Sequence, residues 1–361
     1  MRILKYLFFL LLIVFIGGAI YFATKDGNYQ IESSKVINAP VEVIFKKVND
    51  LKSWEEWGAW QQNDSTVVFN YPEKTTGEGA NFSWNGKDWD GSITTTNVIP
   101  DSTINQDMTS KTPTISRKSD IYWNFEKVAG GTKVTWGLKG EHGLKDKAYL
   151  ALSRKDFRGE MQKFLTQGLD ALDSTVQKDL KIYTITTDGV TQYGGGFYMY
   201  ASTATKLDAL SGKTAKLIPK IRAYMDENSI GTSGNPMTIY NTYEPENNSA
   251  IISCAIPTTT RVVVPENSEV LCSFMPAQTV VKTTLKGNYK NLGEAWNKAM
   301  NYLKENDYEP ASKGNQFEIY RKGPLDEPNP AEWITELYIP IKTEATSTSN
   351  NTETNHQTST L

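Results

Sequence analysis

Apolar side chains recur in three rhythms along this chain, and each rhythm predicts a different element. From Tyr6 to Thr24 there is no alternation, only an uncharged apolar run that would measure roughly 28 Å as a helix, close to the hydrocarbon core of a bilayer. Residues 29–40, 66–71, 81–84, 90–99, 104–108, 119–127 and 132–140 read as strands, parted by turn signals such as Asn85-Gly86 and Gly130-Gly131. Helical spacing follows Pro40, where Val41, Ile44, Phe45 and Val48 share one stripe. It returns in Phe157, Met161, Phe164, Leu165, Leu169, Leu172 and Val176. A strand, short helices, a meander of strands and a long closing helix predict a curved sheet wrapped on a helix, an arrangement that leaves a hollow. Trp54, Trp57 and Trp60, spaced by three, form one face of a short helix, in the core or on the wall of that hollow.

The second half repeats itself. Ile251-Ile-Ser-Cys-Ala-Ile-Pro257 lies over Ile334-Thr-Glu-Leu-Tyr-Ile-Pro340, and Pro236-Met-Thr-Ile-Tyr240 lies over Gln316-Phe-Glu-Ile-Tyr320. An amphipathic helical pattern precedes each copy, at residues 216–228 and 292–306. Such duplicated units pack about a pseudo-twofold axis, because each leaves an apolar face that its copy covers. The copies differ where Ser253 lies over Glu336. A carboxylate in the seam would be desolvated, with its pKa raised until a cationic partner restored the charged form. Alternation equally allows Glu336 to point from a half-exposed strand to solvent. The expected fold class is α+β.

Composition narrows the function. A chain of 361 residues has room for two or three domains, and its formal charge of −3, with no basic block interleaved with aromatics, argues against a nucleic-acid partner. Arg2 and Lys5 flank the apolar run on one side, while Lys25 and Asp26 cancel on the other. The charge asymmetry predicts an uncleaved single-pass anchor with a cytoplasmic N-terminus and an exported body, periplasmic in a double-membrane bacterium. With two histidines, His142 in a loop expected to be exposed and His356 in the tail, no histidine cluster can hold a metal, and no cofactor is expected. Gly194-Gly-Gly196 lacks the following helix of a dinucleotide fingerprint and reads as a bulge or close-approach site. Cys254 and Cys272 fall in neighbouring predicted strands and read as reduced core thiols. The expected organisation is an anchor at 1–27, one domain at 28–180, a second at 181–343, and a disordered tail at 344–361.

Two resemblances give these domains families. Ile37-Asn-Ala-Pro40, Asp50-Leu51 with the tryptophans, Gly77-Glu-Gly-Ala80 with Trp84, and Gly131-Thr-Lys-Val-Thr-Trp136 resemble the SRPBCC superfamily, the START-like helix-grip or polyketide-cyclase fold. The repeated Ile-Tyr strands, residues 276–289, and Glu336-Leu-Tyr-Ile-Pro-Ile341 resemble a GyrI-like effector-binding domain, which elsewhere follows the DNA-binding heads of AraC- and MerR-type regulators. Such a head is not evident in this sequence. The resemblances imply two cavities for hydrophobic or amphipathic small molecules, with Glu336 as the pocket acid for lipophilic, often cationic, ligands. The candidate ligand-binding residues are Glu336, Tyr338, Tyr240, Tyr320, Trp57 and Trp84. Two other readings stay open: a hydrolase of electrophiles using Glu336, and a docking scaffold with vestigial cavities.

Overall fold

The computed structural model describes residues 2–58, 66–87, 89–112, 116–154, 156–312 and 314–342. Trp60 and the tail with His356 lie outside the described residues. The chain divides into two compact units, Met1–Ile182 and Tyr183–Leu361.

The first unit begins with α1 (Arg2–Thr24), an apolar helix long enough to cross a membrane. Then follow β1 (Asn28–Ile37), α2 (Val41–Asn49), α3 (Trp54–Trp57), β2 (Val68–Asn70), β3 (Asn81–Asn85), β4 (Asp90–Ile99), β5 (Thr103–Lys111), β6 (Ser116–Val128), β7 (Gly131–Glu141), α4 (Leu144–Ser153) and α5 (Phe157–Asp179). The strands form one antiparallel sheet in the order β1-β7-β6-β5-β4-β3-β2. Asp156 caps α5, its carboxylate accepting from Gly159 N at 3.0 Å, and Leu165, Leu169, Leu172 and Val176 bury the stripe that the spacing predicts. Gly168 sets how closely this helix sits, since a Cβ there would lie 2.4 Å from the Trp136 ring.

Tryptophan dominates the core of this unit. Trp54, Trp57, Trp84, Trp123 and Trp136 are all essentially buried, and the Trp123 and Trp136 rings stack at 4.5 Å. A tryptophan buries about 150–250 Å², so each is worth roughly 4–6 kcal/mol of gross hydrophobic stabilisation. Helix α4 was not legible from periodicity. Its Leu144, Tyr149 and Leu152 stay exposed, so it presents no core-facing apolar stripe.

The second unit contains β8 (Thr184–Tyr193), β9 (Gly196–Lys206), α6 (Leu210–Glu227), β10 (Met237–Glu244), β11 (Ser249–Thr258), β12 (Leu271–Met275), β13 (Gln278–Lys286), α7 (Leu292–Glu305), β14 (Phe317–Lys322) and β15 (Ile334–Pro340). The sheet order, β12-β9-β11-β10-β14-β15-β13-β8, is a palindrome of the duplication. Its pseudo-twofold axis passes between β10 and β14, where Thr238 stands opposite Glu318, flanked by the pairs Met237–Ile319 and Ile239–Phe317. Helix α6 packs Ile221 and Met225 against Ile252, Cys254 and Ile256, while α7 packs Ala295, Ala299 and Leu303 against β13 and β15. Cys254, Thr238, Glu318 and Leu337 are successive cross-strand partners, so both helices cover the same face.

The other face is curled in by a ribbon. β8 runs into β9 through Gly194-Gly195 and β12 into β13 through Pro276-Ala277, and the two continuous strands pair along both arms. Gly195, at φ +68°, approaches Met275 so closely that a Cβ would lie 2.1 Å from its carbonyl oxygen, the close approach expected of that glycine run. Inside the curl sit Met237, Ile239, Ala255, Phe317, Ile319 and Tyr338. The cysteines are not on neighbouring strands, because β9 lies between β11 and β12. Two strand spacings of about 4.8 Å exceed the reach of a disulfide, and both thiols are free.

Candidate functional site

Among the described residues, three places gather chemistry: a cavity in the first unit, and one glutamate on each face of the second unit's sheet.

The cavity, of about 570 Å³, lies between the first sheet and α5. Its walls are largely apolar, with Trp89, Met108, Ile121, Trp136, Leu138 and Phe164 among them, and α5 places Glu160, Lys163 and Gln167 along its open side. One end carries a cluster of paired polar groups. Tyr29 and Ser119 share a hydroxyl hydrogen bond of 2.7 Å, and Arg117 pairs with the buried Asp146 of α4 at 3.2 Å. The Arg117 guanidinium also lies over the Phe157 ring, 5.2 Å from its centre. Trp57 and Trp84 do not line this space. They are packed into the core behind it, and Trp136 and Trp89 form the wall that they were expected to supply. His142 is also not the exposed loop residue that its glycine neighbour suggested: its ring packs 4.6 Å from Tyr29 and 4.8 Å from Phe157. Burial, with Arg117 nearby, holds its pKa below the usual histidine value.

In the second unit, Glu336 occupies the curled face, buried but not unpaired. Lys282 from β13 approaches its carboxylate at 2.8 Å, Arg321 from β14 donates to Oε2, and the Tyr338 hydroxyl donates to the same oxygen at 2.7 Å. Burial pushes its pKa up, but the Lys282, Tyr338 and Arg321 donors outweigh burial and hold it below the usual carboxylate value. The expectation of a neutralised acid awaiting a cation is therefore corrected, since the protein supplies two cations itself. A carboxylate held ionised in this way is also a weak base, which counts against the hydrolase reading. Beside it, Tyr338 stacks on Phe317 at 4.8 Å, with Tyr193 tilted against both rings.

Tyr240 and Tyr320 lie on the opposite, helix-covered face, so they do not share a pocket with Glu336. They converge instead on Glu318, which is fully buried. Tyr240 donates at 2.8 Å, Tyr320 at 2.9 Å and the Trp296 indole of α7 at 2.7 Å. No cation reaches this carboxylate among the described residues. Burial raises its pKa, and the three neutral donors only partly offset the effect. Burial, reinforced by Glu318, pushes both tyrosine hydroxyls well above their ordinary value. Sequence reasoning passed over Glu318, although the repeat marks it: Thr238 stands in its place in the first copy, and alternation puts it on the Tyr320 face.

A helix-wrapping sheet around an apolar cavity, joined to a pseudo-twofold α+β unit, defines a small-molecule-binding protein of two modules. Residues 29–177 match the family described as polyketide cyclase / dehydrase and lipid transport, and residues 198–342 match the GyrI-like small molecule binding domain. The chain is a fusion of one domain from each, and both families bind small molecules. Among solved structures, it is similar to an uncharacterized protein from Rhizobium leguminosarum (14% identity, covering 43% of this chain and 97% of that one, TM-score 0.35). It is also similar to the C-terminal domain of EcmrR (17% identity, 45% and 98%, TM-score 0.36) and to Aha1 from Colwellia psychrerythraea (16% identity, 41% and 96%, TM-score 0.32). No curated protein matches the chain.

Proposed function

We propose that this is a membrane-anchored binding protein for a lipophilic small molecule, held in the cavity between the first sheet and α5. The observation that carries this reading is the cavity itself: about 570 Å³ of largely apolar wall, with Tyr29, Ser119 and Arg117 at one end and Glu160, Lys163 and Gln167 along the open side, matched to a molecule with an apolar body and a polar group. In the second unit, Lys282 and Arg321 already meet the charge of Glu336, which supports a neutral or acidic amphipath over a cation on that face. Helix α1, with Lys5 before its apolar core, supports an anchor with a cytoplasmic N-terminus and an exported body.

The test uses the full chain in detergent micelles and a pyrene-labelled fatty acid. Saturable binding that falls at least tenfold in Met108→Trp, a substitution that fills the cavity, is the expected result. Equal binding by the filled variant would place the ligand elsewhere. A reporter joined to the C-terminus and active only in the cytoplasm would overturn the exported topology.

A further inference from the structure

Helix α4 carries its apolar residues on the outside. At about 100° per residue, Leu144, Leu152 and Tyr149 fall within one exposed arc that also holds Lys145, while Asp146 and Leu150 lie on the opposite side, toward the protein. A soluble surface helix has the reverse polarity, so this face is built for an apolar or interfacial neighbour.

What covers it follows from where it sits. The Lys147 ammonium donates to the Lys25 carbonyl at 2.7 Å, directly after α1, and His142 N donates to Gly27 O at 2.9 Å. Gly27 packs so tightly there that a Cβ would lie 2.6 Å from the His142 carbonyl oxygen. Helix α4 is thus fastened to the end of the apolar α1. With α1 in a bilayer, this junction lies at the headgroup layer, which is roughly 5–8 Å deep on each side of the hydrocarbon. Lys145 and the exposed Arg154 at the helix end can pair with lipid phosphates, which either leaflet presents.

The same helix reaches the cavity. Asp146 pairs with Arg117, which lines the polar end, and Tyr29, another lining residue, follows Thr24 by only five residues, at most about 18 Å of chain. We propose that α4 lies in the membrane interface with its Leu144–Tyr149–Leu152 face among the lipids, and that the cavity exchanges its ligand directly with that membrane, the ligand being a membrane amphipath. The exchange step rests on the cavity-binding reading above; the docking of α4 rests only on the anchor.

The experiment uses the full chain in phosphatidylcholine–phosphatidylglycerol vesicles, with a benzophenone amino acid placed at Leu152 or, as control, at Val36. Val36 is exposed at the far end of β1, about 27 Å from Asn28. Membrane-pellet retention and binding of the pyrene fatty acid in detergent are measured on the same samples. Photocrosslinking to phospholipid is expected at 152 and at background level at 36. Transfer of the fatty acid from vesicles into the protein is expected to slow by about tenfold in Leu144→Glu/Leu152→Glu, with detergent-phase binding unchanged. A pelleted protein without lipid adducts at 152 overturns the docking. Adducts at 152 with unslowed transfer in the double variant overturn the exchange step. Loss of binding in wild-type detergent samples overturns the cavity reading and leaves the docking result standing.

Discussion

Glu318 and Glu336 stand on adjacent strands of one sheet, both out of solvent, and their environments differ in kind. Glu318, on the helix-covered face, is held by three neutral donors. Glu336, on the curled face, is held by two cations and a tyrosine. Burial alone pushes both carboxyls up, so the partners decide the sign: neutral hydrogen bonds leave Glu318 raised, while the ion pairs bring Glu336 down. The first acid is structural glue at the pseudo-twofold axis, and the second is a charge cluster open enough for Lys282 and Arg321 to reach water.

That contrast can be broken by substitution. Glu318→Ala leaves the Tyr240, Tyr320 and Trp296 donors without an acceptor in the interior and opens a cavity, so the second unit is expected to lose about 3–5 kcal/mol, read by urea unfolding followed through hydrogen exchange of the β14 amides. Loss below about 1 kcal/mol would mean that water replaces the carboxylate. Glu336→Ala is expected to cost less, about 1–2 kcal/mol in the same measurement, because the partly exposed Lys282 and Arg321 can turn to solvent.

The pH dependence sharpens the comparison, because the two slopes have opposite sign. Glu318 is raised in the fold, so its contribution is fully present below the unfolded carboxyl value of about 4.3 and is lost as pH rises through its folded value. Glu336 is lowered, so its contribution is present above about 4.3 and is lost as pH falls through its folded value. Relative to wild type, Glu318→Gln should therefore gain stability as pH rises from 4, whereas Glu336→Gln should lose its disadvantage as pH falls below 4. Parallel pH profiles for the two variants would contradict the assignment. The smallest effect is expected at the rim of the cluster: Asp188, 3.6 Å from the Lys282 ammonium and partly exposed, should change stability by no more than about 0.5 kcal/mol when replaced by Asn.

The sequence by itself determined the apolar helix at the front, the strand and helix rhythms, the duplication, and the two families, because each is a matter of local period or repeated residue type that neighbours in the chain fix together. It also held the parity that sets Glu318 with Tyr320 and Glu336 with Tyr338. Only the tertiary structure decided what each parity meant: which face the helices cover, that Lys282 and Arg321 close on Glu336, that Trp57 and Trp84 go to the core while Trp136 meets the cavity, and that α4 turns its leucines outward beside the anchor. Alternation assigns side chains to two faces but gives neither face a label. The label comes from segments tens of residues away, whose arrival depends on the summed burial of the whole sheet rather than on any local preference.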